Sequence, residues 1–186
     1  MKLIKKFGRI ISSDSIFRFT KCPNNINENR KYEVSGEKQN IITKIGNDQW
    51  MGAICEKELD KSKEEYIWTI KALKTKNHIF MVGVATTDFD FNSASWEIHK
   101  NYGWYYHCGN GLLYSGPPHN YKLKETNLKY NKNEIKVVMN MKKKTLKFII
   151  DNEDKGDSYT NIPLDKPIIP SVLLFHKNDS IEISEN

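Results

Sequence analysis

The spacing of apolar residues between Ile135 and Ile183 limits the possible folds more than any other feature of this chain. Ile135, Val137, Met139 and Met141 recur at every second position. Leu146, Phe148 and Ile150 do the same, and so do Ile181 and Ile183. A repeat of two puts one face of a strand into a core, whereas a helix repeats at about 3.6. Lys142-Lys143-Lys144 separates the first two runs where a hairpin turn belongs, and Asn152 to Gly156 supplies turn formers after the second. Ile168 to Leu174 is nearly all apolar, the pattern of a strand covered on both faces. Antiparallel sheet with one deep core follows.

The rest of the chain agrees. Tyr66, Trp68 and Ile70 alternate, and Ile79 to Thr86 follows after a polar turn over 74–78. Tyr102 to Cys108 is strand by its aromatic content, Gly109-Asn110-Gly111 is a hairpin turn, and Leu112 to Tyr114 returns. Asn40 to Ile45 and Trp50 to Cys55 are short strands around a turn at 46–49. Ile10-Ile11 and Ile16 to Phe19 suit an edge strand. Lys21 to Gln39 is polar, holds Pro23 and Gly36, and reads as a surface loop. The expected division is an extension over 1–39 and a sandwich over 40–186. The expected core is Trp68, Ile70, Val82, Val84, Trp104, Val137, Met139, Leu146, Phe148, Ile150, Val172, Leu174, Ile181 and Ile183, with Trp50 also in a buried strand. Gly83 inside a strand implies close approach of a bulky neighbour from the facing sheet.

Three segments in this order are similar to the SPRY (B30.2-type) domain family. Tyr66, Trp68, Ile70 and Val82-Gly83-Val84-Ala85-Thr86 match its first pair of strands. Gly103, Trp104, Gly111, Leu113, Tyr114 and Gly116 match its central hairpin, and the stretch from Leu146 to Leu174 matches its C-terminal half. The resemblance spans about residues 50–184. It implies an all-β fold, a two-sheet antiparallel β-sandwich of the concanavalin-like jelly-roll type. It also implies non-catalytic recognition of a protein or short peptide by loops at one end. In SOCS-box-type SPRY domains three loops do this, and here they correspond to 45–49, 86–101 and 175–179. Phe175 matches the aromatic residue that ends the penultimate strand in that type. No Arg-x-Pro element precedes the Trp50 strand.

Among the large loop aromatics Phe89, Phe91, Trp96 and Phe175, the expected anchors are Phe175, Phe91 and Trp96. Asn47, Asp48, Gln49, His176 and Lys177 are the expected hydrogen-bonding residues for a peptide backbone. A substrate-recognition or scaffold part of a larger assembly fits that role.

Catalytic signatures are missing. No nucleophile elbow, phosphate loop, dinucleotide fingerprint or zinc-protease helix occurs. The five histidines and three cysteines lack metal-ligand spacing, so no metal or cofactor is expected. Asp88 and Asp90 are the one pair of acids set between aromatics and read as loop-ordering. The chain carries a net charge of +6, almost all from lysine, because arginine occurs only at positions 9, 18 and 30. Nucleic-acid surfaces favour the planar arginine fork, so nucleic acid is not the expected partner. An odd number of widely spaced cysteines points to reduced thiols in the cytoplasm or nucleus. No apolar run is long enough to span a membrane. Two other function classes remain open. One is a carbohydrate-binding or glycan-acting sandwich. The other is a basic face gathering the lysines of 122–147.

Overall fold

The computed structural model describes residues 17–93, 102–115, 124–125, 130, 134–154 and 156–186. Ile10, Ile11, Ile16, Trp96 and Gly116 lie outside the described residues. Among the described residues, thirteen strands form two antiparallel sheets. They are β1 (Tyr32–Ser35), β2 (Ile41–Lys44), β3 (Met51–Ile54), β4 (Glu65–Lys74), β5 (Phe80–Thr86), β6 (Gly103–His107) and β7 (Leu112–Ser115). They continue with β8 (Lys124–Glu125), β9 (Glu134–Asn140), β10 (Thr145–Ile150), β11 (Glu153–Asp154), β12 (Ile168–Leu174) and β13 (Ser180–Glu185). One sheet runs β1-β2-β13-β4-β9-β10-β11 and the other runs β3-β12-β5-β6-β7-β8.

The alternation sets the register. Tyr66, Trp68 and Ile70 of β4 face Met139, Val137 and Ile135 of β9, and Phe148 of β10 faces Val137 in turn. All of these side chains are buried, as are all fourteen residues of the expected core. The fold is the expected two-sheet β-sandwich.

Three local expectations are corrected. The stretch 21–39 is not all surface loop. Glu28–Arg30 is a 3-10 turn capped by the Asn27 side chain, and Tyr32–Ser35 is edge strand β1. Ile26 and Tyr32 reach the core beside Phe17 and Phe19. A single buried tyrosine and one half-buried valine are too short a run to show a period of two. Gly83 does not receive a bulky group from the facing sheet. A Cβ there would lie 2.0 Å from the Trp104 carbonyl oxygen on adjacent strand β6. Trp50 lies outside the inner core and is half-buried on the opposite side of the six-stranded sheet.

That outer side carries an apolar layer of its own. Ile54, Met81, Ala85, Tyr105, Ile169 and Leu173 form it, and Phe89 lies on top. Gly52 makes the room, because a Cβ there would sit 2.2 Å from the Phe89 ring. The same strands therefore bury both faces. This explains the continuous apolar reading of β12, in which all seven residues are buried.

Candidate recognition site

The loops 45–49 and 175–179 leave the same end of the sandwich, since Met51 pairs with Leu174. The carboxylate of Asp48 ties them together. Its Oδ1 accepts the Lys177 backbone N–H at 2.8 Å and its Oδ2 meets His176 Nδ1 at 2.9 Å. The Gln49 N–H adds a bond to the Phe175 carbonyl at 3.1 Å. These partners, the Lys177 N–H first and His176 second, hold the Asp48 carboxyl below its ordinary pKa. Asp179 closes its own loop, accepting the backbone N–H groups of His176 at 3.0 Å and Lys76 at 2.9 Å. Burial outweighs those bonds and raises its pKa.

Beneath these loops lies an unusual cation. Lys44 is fully buried, and its Nζ donates to the Asn29 carbonyl. Burial pulls its pKa down to about 8. Gly46 lets the 45–49 loop press on the 3-10 turn, since a Cβ there would meet the Asn29 carbonyl oxygen at 2.3 Å. Asn47 Nδ2 then donates to Asn29 Oδ1 at 3.0 Å.

Four rings lie beside these loops on the outer face. Trp50 stands edge-on to Phe175 at 5.3 Å and to His107 at 5.7 Å, and His107 lies 5.9 Å from Tyr114. Trp50, Phe175 and Tyr114 are half-buried, so the patch reaches solvent. Its rim carries the exposed residues Asn47, Asp48, Lys177 and Asn110 and the half-buried Gln49.

The structure brings Asn47, Asp48, Gln49, Phe175, His176 and Lys177 together. It places the third loop elsewhere. Thr86 pairs with Ile168, so the 86–101 segment starts at the opposite end of the sandwich. Its described part, 86–93, folds back over the outer face, where Phe91 packs edge-on against Phe89 at 5.2 Å and Asn92 Oδ1 accepts the Asn27 N–H. Trp96 lies outside the described residues. Asp48 spends its carboxylate on His176 Nδ1 and the Lys177 amide, while His176 Nε2 is buried with no partner. Asp88 and Asp90 order the 86–93 segment. Asp88 accepts the Thr86 hydroxyl at 2.5 Å and pairs with Lys166 at 2.6 Å. Asp90 accepts the Asn92 N–H and the Ser93 hydroxyl. No cluster of three or more His, Cys, Asp or Glu placed to hold a metal occurs among the described residues. None of their helices is long and apolar enough to cross a membrane.

The sequence profile of the SPRY domain matches residues 65–185. This chain belongs to the SPRY domain family. SPRY domains generally serve as protein–protein interaction modules. Solved SPRY structures share the fold. The SPRY domain of human HERC1 superposes with a TM-score of 0.67 at 17% identity, covering 83% of this chain and 92% of that one. A human SPRY domain gives 0.62 at 14% identity, covering 82% and 93%. The TRIM65 PSpry domain gives 0.61 at 12%, covering 86% and 88%. No curated protein matches the sequence.

Three members of this SPRY domain's patch, Trp50, His107 and Tyr114, escaped the reading of loops alone because they sit at strand ends. One signal was present. In Trp50-Met51-Gly52-Ala53-Ile54 a period of two puts Trp50 on the face of Gly52 and Ile54, opposite Met51 and Ala53.

Proposed function

We propose that this SPRY domain is a non-catalytic recognition module that binds a protein or short peptide on the Trp50–Phe175–His107–Tyr114 patch. The observation that carries this reading is a cluster of partly exposed rings beside two loops that Asp48 already locks together. A preformed apolar surface with a polar rim binds at little cost in ordering entropy. In this role Phe175 is an anchor and Asn47, Gln49 and Lys177 contact the partner. Asp48 and His176 position the loops. Phe91 borders the same face, and Trp96 is retained as an expected contact. A protein ligand is favoured over a glycan because the positions of β3, β5, β6, β7 and β12 on this face carry no carboxylate. It is favoured over nucleic acid because Lys136 and Lys147, on the other sheet, each stand beside an acid, Glu134 and Asp154. The domain works as a sandwich over 40–186 with residues 1–39 as an extension, of which Phe17, Phe19, Ile26 and Tyr32 pack into its core. The free thiols of Cys22, Cys55 and Cys108 suit the cytoplasm or nucleus. A role in a larger substrate-recognition or scaffold assembly fits the same surface.

The test is selection of displayed random peptides on the full chain, followed by titration against Trp50→Ala and Phe175→Ala proteins of unchanged circular dichroism. Affinity should fall more than about tenfold in each, as for hot-spot aromatics. Equal affinity in all three proteins would remove the patch from consideration.

A further inference from the structure

The patch contains two N–H donors, and the turn after β6 fixes the orientation of the His107 ring. The Nδ1 of His107 accepts the Gly109 N–H at 3.1 Å and the Asn110 N–H at 3.3 Å, both in the turn that leaves β6. A nitrogen that accepts carries no proton, so the neutral ring holds its hydrogen on Nε2. Nothing among the described residues accepts from that Nε2–H. Nor does any described residue accept from Trp50 Nε1–H, whereas Trp104 Nε1 on the inner side is sealed. The two rings stand 5.7 Å apart, with Phe175 and Tyr114 on their flanks.

We propose that Trp50 Nε1–H and His107 Nε2–H form a paired donor site for a main-chain carbonyl oxygen of the bound peptide, and that this pair selects which segment of the partner is accepted. The inference rests on the recognition reading above. Both donors are neutral, so they bring no counter-charge that would offset stripping water from a carboxylate. An amide carbonyl is cheaper to desolvate and gains the same bonds. The surrounding rings dry the site and strengthen those bonds.

The site also responds to acid. Burial keeps the His107 pKa below its ordinary 6.5. Among the described residues, the other titratable or charged positions around it are Tyr114 on β7, Glu125 on β8 and, beyond Trp50 and Phe175, Asp48, His176 and Lys177. Protonating Nδ1 sets a donor against the Gly109 and Asn110 N–H groups and breaks the turn that holds the ring. Binding therefore weakens as pH falls through that lowered pKa.

Two measurements test this. Long-range nitrogen–proton NMR of the full chain at pH 7 should show His107 with a protonated Nε2 and an accepting Nδ1. A protonated Nδ1 overturns the proposal without any ligand. Next, a peptide selected on the wild-type chain is titrated against Trp50→Phe and His107→Asn. Trp50→Phe keeps a ring without its N–H. His107→Asn keeps a short acceptor for the turn without the ring donor. Each should lose about tenfold or more in affinity while unfolding at the wild-type temperature. A scan replacing each peptide carbonyl by a thiocarbonyl should find one sensitive position, and that sensitivity should vanish in both variants. Wild-type affinity in both variants, with binding still lost in Phe175→Ala, overturns the donor pair and leaves the recognition site standing. Loss of binding on amidating the peptide C-terminus would assign a carboxylate instead and also overturns it. Failure to select any peptide removes the recognition reading and this inference together.

Discussion

At the scale of single residues, Lys44 is the clearest conflict between composition and place. Burying an ammonium group is costly, and its one hydrogen bond goes to the Asn29 carbonyl. Its pKa near 8 means that the unfolded chain holds this proton more tightly than the folded one. Stability therefore rises with pH from about 8 to the ordinary lysine value of 10.5, and the penalty is complete below 8. Lys44→Met should raise stability at pH 7 by about 1–3 kcal/mol. The gain should shrink at pH 10, which melting curves of both proteins at the two pH values will show. An unchanged or lowered melting temperature at pH 7 would mean that the Asn29 bond outweighs the desolvation. The sequence places Lys44 in a short strand but gives no sign that it is buried, because alternation in Ile41 to Lys44 leaves both faces mixed.

At the scale of elements, the informative unit is the pair of loops held by Asp48. The family resemblance grouped 45–49 with 175–179 at one end, and the register of β3 with β12 agrees. Which atoms would hold them was not legible, because one carboxylate joins residues about 130 positions apart. Asp48→Ala should leave the sheets intact but speed amide exchange at Lys177 and weaken peptide binding. In the wild-type protein the same uncoupling should appear as pH falls through the depressed Asp48 pKa, since its contribution is present above the unfolded value of 3.8 and lost below the folded one. Amide exchange at Lys177 as slow as in the wild type would assign the rigidity to the Gln49–Phe175 bond instead. The 86–101 loop shows the opposite case. Its aromatics were legible as exceptional residues, but its direction was not, because that depends on β5 running away from the patch.

At the scale of the whole molecule, the expected core was fully legible because strands with one inner face repeat strictly, and Val137, Phe148 and Ile183 are examples. The outer layer was not, since Met81, Tyr105 and Leu173 interleave with core residues and merge into one apolar run. Phe17 and Phe19 were legible as part of an edge strand, but the contribution of Ile26 and Tyr32 was hidden in a polar stretch. Phe17, Phe19, Ile26 and Tyr32 are buried at 5% exposure or less. Burying four such side chains contributes about 6–10 kcal/mol, comparable with the whole stability of a small domain. A chain cut to 40–186 should therefore be aggregated or show no cooperative melting. A truncated chain that melts at the full-length temperature would show that 40–186 is self-sufficient.

The glycine at position 52 lets Phe89 close over a sheet that is already packed on its other side. Each of β5, β6 and β12 thus carries two messages in alternate letters, one read by the opposing sheet and one by the Phe89 segment that covers it. Two such sandwiches can drift to 17% identity while their backbones still superpose.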